Sequence, residues 1–436
     1  LDLSRKHAIS SVKRSMYLGA QQAYILEGFL GFQQASVRLD ELREECVSFL
    51  SHICSIPALG PDNGGTGEMA KYIPVKEMVM SLVPDRVEEI HAPDSRTPEG
   101  VRPNLVALFK GRDTSRTLWI LSHIDVVPVG ELRLWDADPF KPYVKDGYLI
   151  GRGVEDNGQA VASSIYAVKA VKETCGLGIN VGLALVSDEE CGSLFGLDYI
   201  LKKRPELFSR DDLILVPDAG NKDGDVMEIA EKHLYHVRFC VTGKQAHASR
   251  PDKGKNTLRA AARMISALDD ALHDSFREQN HFFNPPVSTF EPTRKDANVP
   301  NVNTIPGEDV FFFDSRILPE TRVDDVLALM REVSSRVAAE QGVEVTVQEY
   351  LRSESPNATA SDAPVVVALA QAIQEVYGVQ ARPQGIGGQT VATFFRKADL
   401  PAVVWERMEG WAHAPNERIP IDNLIGNAKV FARMMV

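Results

Sequence analysis

Little in this sequence suits the extracellular space, a bilayer or a polyanion. Its 436 residues include only five cysteines. These are Cys46, Cys54, Cys175, Cys191 and Cys240; they form no CxxC pair and leave one over. That pattern excludes a disulfide framework and fits a reducing cytoplasm. No apolar run approaches the ~18 residues that a membrane span requires. Positive charge is scarce: 48 Lys and Arg against 60 Asp and Glu give a net charge of −12, the wrong sign for a nucleic-acid partner. Basic clusters such as Lys202–Lys203–Arg204 read as solvated helix ends. The phosphate-loop pattern G-x-x-x-x-G-K-[ST] is missing. No lysine adjoins the ligand-type motifs described below, so a pyridoxal-phosphate transferase would lack its Schiff-base anchor. No internal repeat or low-complexity tract is visible.

What remains is an ordinary globular composition, 44% hydrophobic and 25% charged, long enough for two or three domains. The chain begins at Leu1 rather than Met, and its natural start is expected upstream. The stretch SMYLGAQQAYILEGFLGF has basic residues before it, but Gln21, Gln22 and Glu27 interrupt it and no A-x-A site follows, so export is not expected. Residues 1–36 are set aside as an N-terminal extension without an assigned role.

Apolar residues recur at helical spacing from Val37 to Ile56, ahead of Pro57. Short apolar runs then alternate with helical stretches. Strands are expected at Asn104–Phe109, Thr117–Leu121, Val181–Val186 and Leu213–Val216, with a helix at Gln159–Lys172. Such alternation implies an α/β domain with a parallel or mixed sheet, whose ligands gather beyond the carboxyl ends of strands. Near Ile229 the pattern changes. A strand at Glu231–Thr242, a helix at Asn256–Leu272, strands at Val287–Phe290 and Asp309–Ile317, a helix at Val323–Ala339 and a strand at Val343–Tyr350 spell β-α-β-β-α-β, a ferredoxin-like unit. The first domain resumes with helix Pro364–Tyr377 and strand Ala402–Trp405. The expected organisation is a catalytic domain over 37–229 and 352–436, with an α+β domain inserted at 230–351.

The chemistry sits where the expected strands end. SHIDVVP places His123 and Asp125 two apart, hence on one side of an extended segment, with His123 as a ligand and Asp125 behind it. In GRGVEDNGQ an acid stands where a phosphate would lie, so Asp156 reads as a carboxylate shared by two cations. The adjacent Glu189 and Glu190 can divide labour, one binding a cation while the other takes a proton from water. Asp218 in VPDAG and His413 in WAHAPNE complete a set of oxygen and nitrogen donors suited to a pair of divalent ions. Cys191 is expected to stay out of it.

From about residue 37 to the end the chain resembles metallohydrolases of peptidase family M20, a group that includes acetylornithine deacetylase, succinyl-diaminopimelate desuccinylase, carboxypeptidases and dipeptidases. The resemblance rests on SHIDVVPVGELRLWDADPF, DGYLIGRGVEDNGQ, LVSDEECGS, VPDAG, GKQAHASRPDKGKNT, VNTIPGEDVFFFDSRILP, GIGGQT and AHAPNE, in that order. It implies a mixed-sheet zinc-peptidase domain carrying a lid and dimerisation domain. His123 and Asp218 would hold one cation and Glu190 and His413 the other, with Asp156 bridging, Glu189 as general base and Asp125 behind the ligands. A cis Asp156–Asn157 bond is implied as well. His247 would stabilise the oxyanion, often from a partner subunit. Arg316 and Asn303 would anchor a substrate carboxylate, and Gly387 and Gly388 would offer backbone N–H groups. Gln389 departs from the Thr or Ser of many relatives. Two zinc ions are implied, with cobalt or manganese as alternatives. The expected activity is hydrolysis of a small N-acyl amino acid by a homodimer. A dipeptidase or carboxypeptidase is the alternative: Asp218, where the family's deacylases more often carry Glu, favours it. An inactive binding protein on the same scaffold would be expected to have lost ligands, and none is lost.

Overall fold

The computed structural model describes residues 28–436, and the chain divides into two compact units. The first comprises the described residues up to Met227 together with Thr359–Pro383 and Phe394–Val436; the second comprises Glu228–Ala358 and Gln384–Thr393. Most of the stretch considered for export lies outside the described residues. Its end does not: positions 28–41 are helical and run without a break across residue 36. Phe32, Ala35, Leu39 and Leu42 are buried at helical spacing along this segment, which makes it an amphipathic helix of the first unit. A second helix, Arg43–Cys54, follows at once.

Six strands of the first unit lie in the order Arg86–Glu89, Leu105–Phe109, Ile179–Val186, Asp113–His123, Leu213–Asn221 and Ala402–Arg407. The first two pair antiparallel and the last four are parallel. Ile179–Val186 is buried at all positions but its first, as a strand covered on both faces must be. Helix Gln159–Thr174 packs against Ile421–Met435; twelve of its sixteen residues are buried. The consequence for function lies in the direction of the strands. His123 ends one parallel strand, Asp188–Glu190 follow a second, Asp218 lies toward the end of a third, and the loop to His413 leaves the fourth.

The second unit is an antiparallel sheet in the order Thr289–Lys295, Glu308–Ile317, His233–Thr242, Glu344–Ser353. With helices Thr257–Ser275 and Val323–Gln341 this is the β-α-β-β-α-β order of a ferredoxin-like unit. Alternate residues Tyr235, Val237, Phe239 and Val241 point into the core. Phe239 stacks on Phe311 there at 4.8 Å between ring centroids. From the helices, Ala260, Met264 and Leu268, and Val326, Met330 and Val333, close over them. Asn256 caps the first helix by accepting the Arg259 N–H at 3.0 Å. The strand expected at Glu231–Thr242 is present as His233–Thr242, and a separate strand, Val226–Glu231, precedes it. The chain leaves one ladder at Lys232 and enters another at His233, opposite Ile317; apolar periodicity is blind to such a change of partner.

Candidate metal centre and active site

The first unit brings its donors together in two overlapping groups. His123, Asp156 and Asp218 form one and Asp156, Glu190 and His413 the other, with ligand-type atoms in each group within 4.8 Å of one another. Asp156 is common to both. Its Oδ1 lies 2.8 Å from Nε2 of His123 and its Oδ2 lies 3.1 Å from Nε2 of His413. Nε2 of His123 is also 3.3 Å from Asp218, and Nε2 of His413 is 3.2 Å from Oε2 of Glu190. The Asp156–Asn157 peptide bond is cis. The turn that carries Asp156 can close only on glycine. Gly153 sits at φ +78°, and a Cβ on Gly158 would stand 2.4 Å from the Gly153 carbonyl oxygen.

Electrostatics identifies what the cluster suits. Five carboxylates, of Asp125, Asp156, Glu189, Glu190 and Asp218, share this space with two imidazoles. His413 is pushed up to about 10 by hydrogen bonds to Asp156 and Glu190. Burial works against the charged form of His123, but its contacts with Asp125, Asp156 and Asp218 outweigh that and raise it well above the usual range. Asp156 is held low, its two histidine partners overcoming burial. Oε1 of Glu190 is buried without a hydrogen-bond partner among the described residues. Surplus negative charge, an orphaned carboxylate oxygen and imidazole nitrogens turned to one focus suit divalent cations. The residues present therefore fit a metal pair. His413 is more than half exposed, so the centre opens to solvent on that side.

Glu189 belongs to neither group. Burial first, and then the charge of Asp218, raises its carboxyl well above the usual range. Among the described residues no donor hydrogen-bonds that carboxylate. Asp125 proves to have two tasks. It stands behind His123, its backbone oxygen 3.2 Å and its Oδ1 3.4 Å from Nδ1, and its two carboxylate oxygens accept the N–H groups of Glu189 and Glu190, each at 3.1 Å. Cys191 is not with the donors: it lies near Asp62 and Asp188, and burial pushes its thiol up to about 12.

Two supporting residues were not foreseen. The side chain of Asn157 accepts the His123 N–H at 3.2 Å and donates to the Pro217 carbonyl at 2.6 Å and to Asp218 at 3.1 Å. It thereby ties two strand ends to the Asp156 turn. Arg102, fully buried, donates to Glu68 at 2.7 Å and lies 3.2 Å from Asp188, immediately before the Glu pair. The resemblance marks Asn157 only as the partner in the cis bond, and nothing in the sequence points to its side chain. Arg102 sits in a short apolar stretch, the one local hint of a buried ion pair.

The second unit carries the remaining candidates. Residues Ala246–His247 pair with Thr304–Ile305, and the Ala248 N–H donates to the Asn303 carbonyl at 2.9 Å, so His247 and Asn303 are neighbours. Nδ1 of His247 accepts the Ser249 N–H at 3.1 Å and lies 2.8 Å from its hydroxyl. The neutral ring must then carry its proton on Nε2. Arg316 already has a carboxylate: its fork grips Asp314 at 2.6 and 3.0 Å, and its Nη1 donates to the Gly387 carbonyl at 3.3 Å. Gly387 and Gly388 belong to the segment Gln384–Thr393 of this unit, not to the first unit that surrounds it in sequence. Glu231 holds the loop by accepting from the N–H and hydroxyl of Thr390, each at 3.0 Å, and from the Thr393 hydroxyl. Gln389 closes it by donating to the carbonyls of Lys232 and Ser353 at 3.1 and 3.0 Å.

Residues 119–436 match the family model described as Peptidase family M20/M25/M40. An uncharacterized metallohydrolase of Methanocaldococcus jannaschii is 38% identical over 415 residues, which cover 91% of this chain and 100% of that protein. A succinyl-diaminopimelate desuccinylase of Sulfurovum sp. is 28% identical over 316 residues, 72% of this chain and 82% of its own. Among solved structures, the di-peptidase Dug1p of Saccharomyces cerevisiae superposes with a TM-score of 0.75 at 18% identity, over 93% of this chain and 98% of that one. Human carnosine dipeptidase 1 does so with a TM-score of 0.76 at 17% identity, over the same shares, 93% and 98%. At such identities the solved structures establish the fold alone.

Proposed function

The chain belongs to peptidase family M20/M25/M40 and is a metallohydrolase, and from that premise we propose that it hydrolyses the amide bond of a small N-acyl amino acid with Glu189 as general base. One observation carries this reading: a half-buried carboxylate with no hydrogen-bond donor among the described residues stands beside two donor groups that share Asp156. His123 and Asp218 would hold one divalent cation and Glu190 and His413 the other, with Asp156 between them; zinc suits this mixed oxygen and nitrogen set, and cobalt or manganese could replace it. When bound, the ions supply Lewis acidity that polarises a carbonyl and makes water acidic. Glu189 takes the proton of the attacking water and returns it to the leaving amine, a task for which a raised carboxyl is well matched. Asp125 keeps Glu189 and Glu190 in place through their backbone N–H groups. The reading gives His247 the role of oxyanion donor, supported by the Nε2–H tautomer that Ser249 imposes. Asn303 and Arg316 would recognise the substrate carboxylate, Arg316 by exchanging part of its grip on Asp314, and Gly387 and Gly388 would line the loop beside them.

The desuccinylase relative supports the N-acyl substrate. Asp218 supports a second reading, a dipeptidase or carboxypeptidase. We also propose a homodimer formed through the second unit. Its strand Glu344–Ser353 lies at a sheet edge and is largely exposed, an edge open to pairing. Five free cysteines support residence in a reducing cytoplasm. No helix of the described residues is long and apolar enough to cross a membrane. The test is hydrolysis of N-acetyl and N-succinyl amino acids and of dipeptides by wild type and Glu189→Gln. Turnover should fall at least ~100-fold in the variant while its metal content stays at the wild-type level; near-normal turnover removes Glu189 from the role.

A further inference from the structure

Two buried glutamates flank the centre without belonging to either donor group. Glu155 precedes the shared Asp156, yet its carboxylate turns to the loop that leads to His413. It accepts the N–H groups of Glu409 at 2.6 Å, Gly410 at 3.2 Å, Trp411, and Ala412 at 2.8 Å. Glu417, just beyond His413, reaches the opposite way. It accepts the N–H groups of Gly153, Glu155 and Asp156 at 2.9, 2.9 and 3.0 Å, and the Arg152 guanidinium at 2.6 Å. Arg152 also donates to the His413 carbonyl at 3.4 Å. Both glutamates are fully buried. Each motif thus holds the other's backbone, although some 250 residues of sequence separate them.

The loop 409–412 has no helix or strand to take up its N–H groups, and four successive donors converge on one carboxylate. Such charge-assisted bonds are about twice as strong as neutral ones. The other donor group is built differently. His123 and Asp218 come from neighbouring parallel strands paired at Leu118–Ile120 and Leu213–Leu215, a ladder in which Glu155 has no part.

We propose that Glu155 is a positioning residue for one cation site of the pair. It fixes the loop so that Nε2 of His413 meets both Asp156 and Glu190, with Glu417 as its counterpart on the Asp156 turn. The proposal rests on the two-cation reading above. It gives Glu155 control of the Asp156–Glu190–His413 group while His123 and Asp218 keep their ladder.

Equilibrium dialysis of the full chain against zinc, with hydrogen–deuterium exchange of residues 409–412, tests it. Glu155→Gln keeps the shape but turns an amide donor toward backbone donors. Wild type should bind two equivalents. The variant should keep one at unchanged affinity and bind the second about 10- to 100-fold more weakly. Exchange at 409–412 should quicken in the variant while 113–123 stay protected, and Glu155→Asp, which keeps the charge, should restore part of the loss. If Glu155→Gln binds both equivalents as wild type does, or loses both equally, the proposal alone fails. If wild type takes up no second equivalent, the two-cation reading fails and takes the proposal with it. Should Glu155→Gln not fold, Glu155→Asp and the wild-type exchange still decide: rapid exchange at 409–412 in wild type overturns the proposal.

Discussion

Replacing Asp125 with Asn exchanges one carboxylate oxygen for an NH2 group at the base of the donor cluster. In wild type each carboxylate oxygen accepts one backbone N–H, from Glu189 and from Glu190, each at 3.1 Å. An asparagine offers a single acceptor, so one N–H keeps its partner and the other faces an NH2 group. Asp125 is only 1% exposed, and water cannot repair the mismatch. Losing one bond to a charged acceptor costs about 1.5–3 kcal/mol, and stranding the N–H adds a comparable penalty. Part of this returns as the Glu189–Glu190 turn shifts, leaving an expected loss of about 2–4 kcal/mol in stability. The shift also moves Glu190 off its focus and loosens His123, so metal affinity should fall about 10- to 100-fold. Urea denaturation measures the first quantity and competition with a chromophoric chelator the second. A variant with wild-type midpoint and wild-type affinity would refute the argument that Asp125 works through these two N–H groups.

Three further outcomes follow from the packing and the charges. Arg102→Met leaves Glu68 and Asp188 buried without their cation and should cost about 3–5 kcal/mol in urea denaturation, recovered in part by adding Glu68→Leu; a variant as stable as wild type would show the pair to be dispensable. Burial lowers the Lys232 ammonium to about 8 while it donates to the carbonyls of Pro285 and Val287 at 2.9 and 2.5 Å. The unfolded chain therefore binds more protons than the folded one between about pH 8 and the ordinary lysine range near 10.4. Wild type should accordingly gain stability relative to Lys232→Met as pH rises through that window, by no more than about 3 kcal/mol, and parallel pH profiles would contradict this. Chelation should lower Tm, since it leaves five carboxylates crowded around two imidazoles. Zinc at about 100 times its Kd should return about 2.7 kcal/mol, and a Tm indifferent to chelator counts against a resident ion.

The donors were legible in the sequence because each sits at a punctuation mark. His123, Glu189, Glu190 and Asp218 follow or close short apolar runs, and Asp156 stands in a glycine turn before a helix. A parallel sheet gathers the carboxyl ends of its strands at one edge, so strand-end residues meet whatever their distance in sequence. Alternation of apolar and polar residues likewise disclosed the β-α-β-β-α-β order of the second unit. The break at Lys232 and the helix at 28–41 escaped, since the first is a change of pairing partner and the second has an apolar face that composition reads only as a faint hydrophobic stretch. Arg316 was expected to keep its fork for a ligand; only the register that sets Asp314 two residues away on the same strand face shows it already occupied.

Residue types and their spacing sufficed to single out the side chains that the structure gathers into two donor groups, because those choices are chemical and local. Which backbone amides Asp125, Glu155 and Glu417 satisfy was decided by folding alone. A carboxylate's partners depend on which loop arrives beside it, and an N–H group leaves no mark in the sequence.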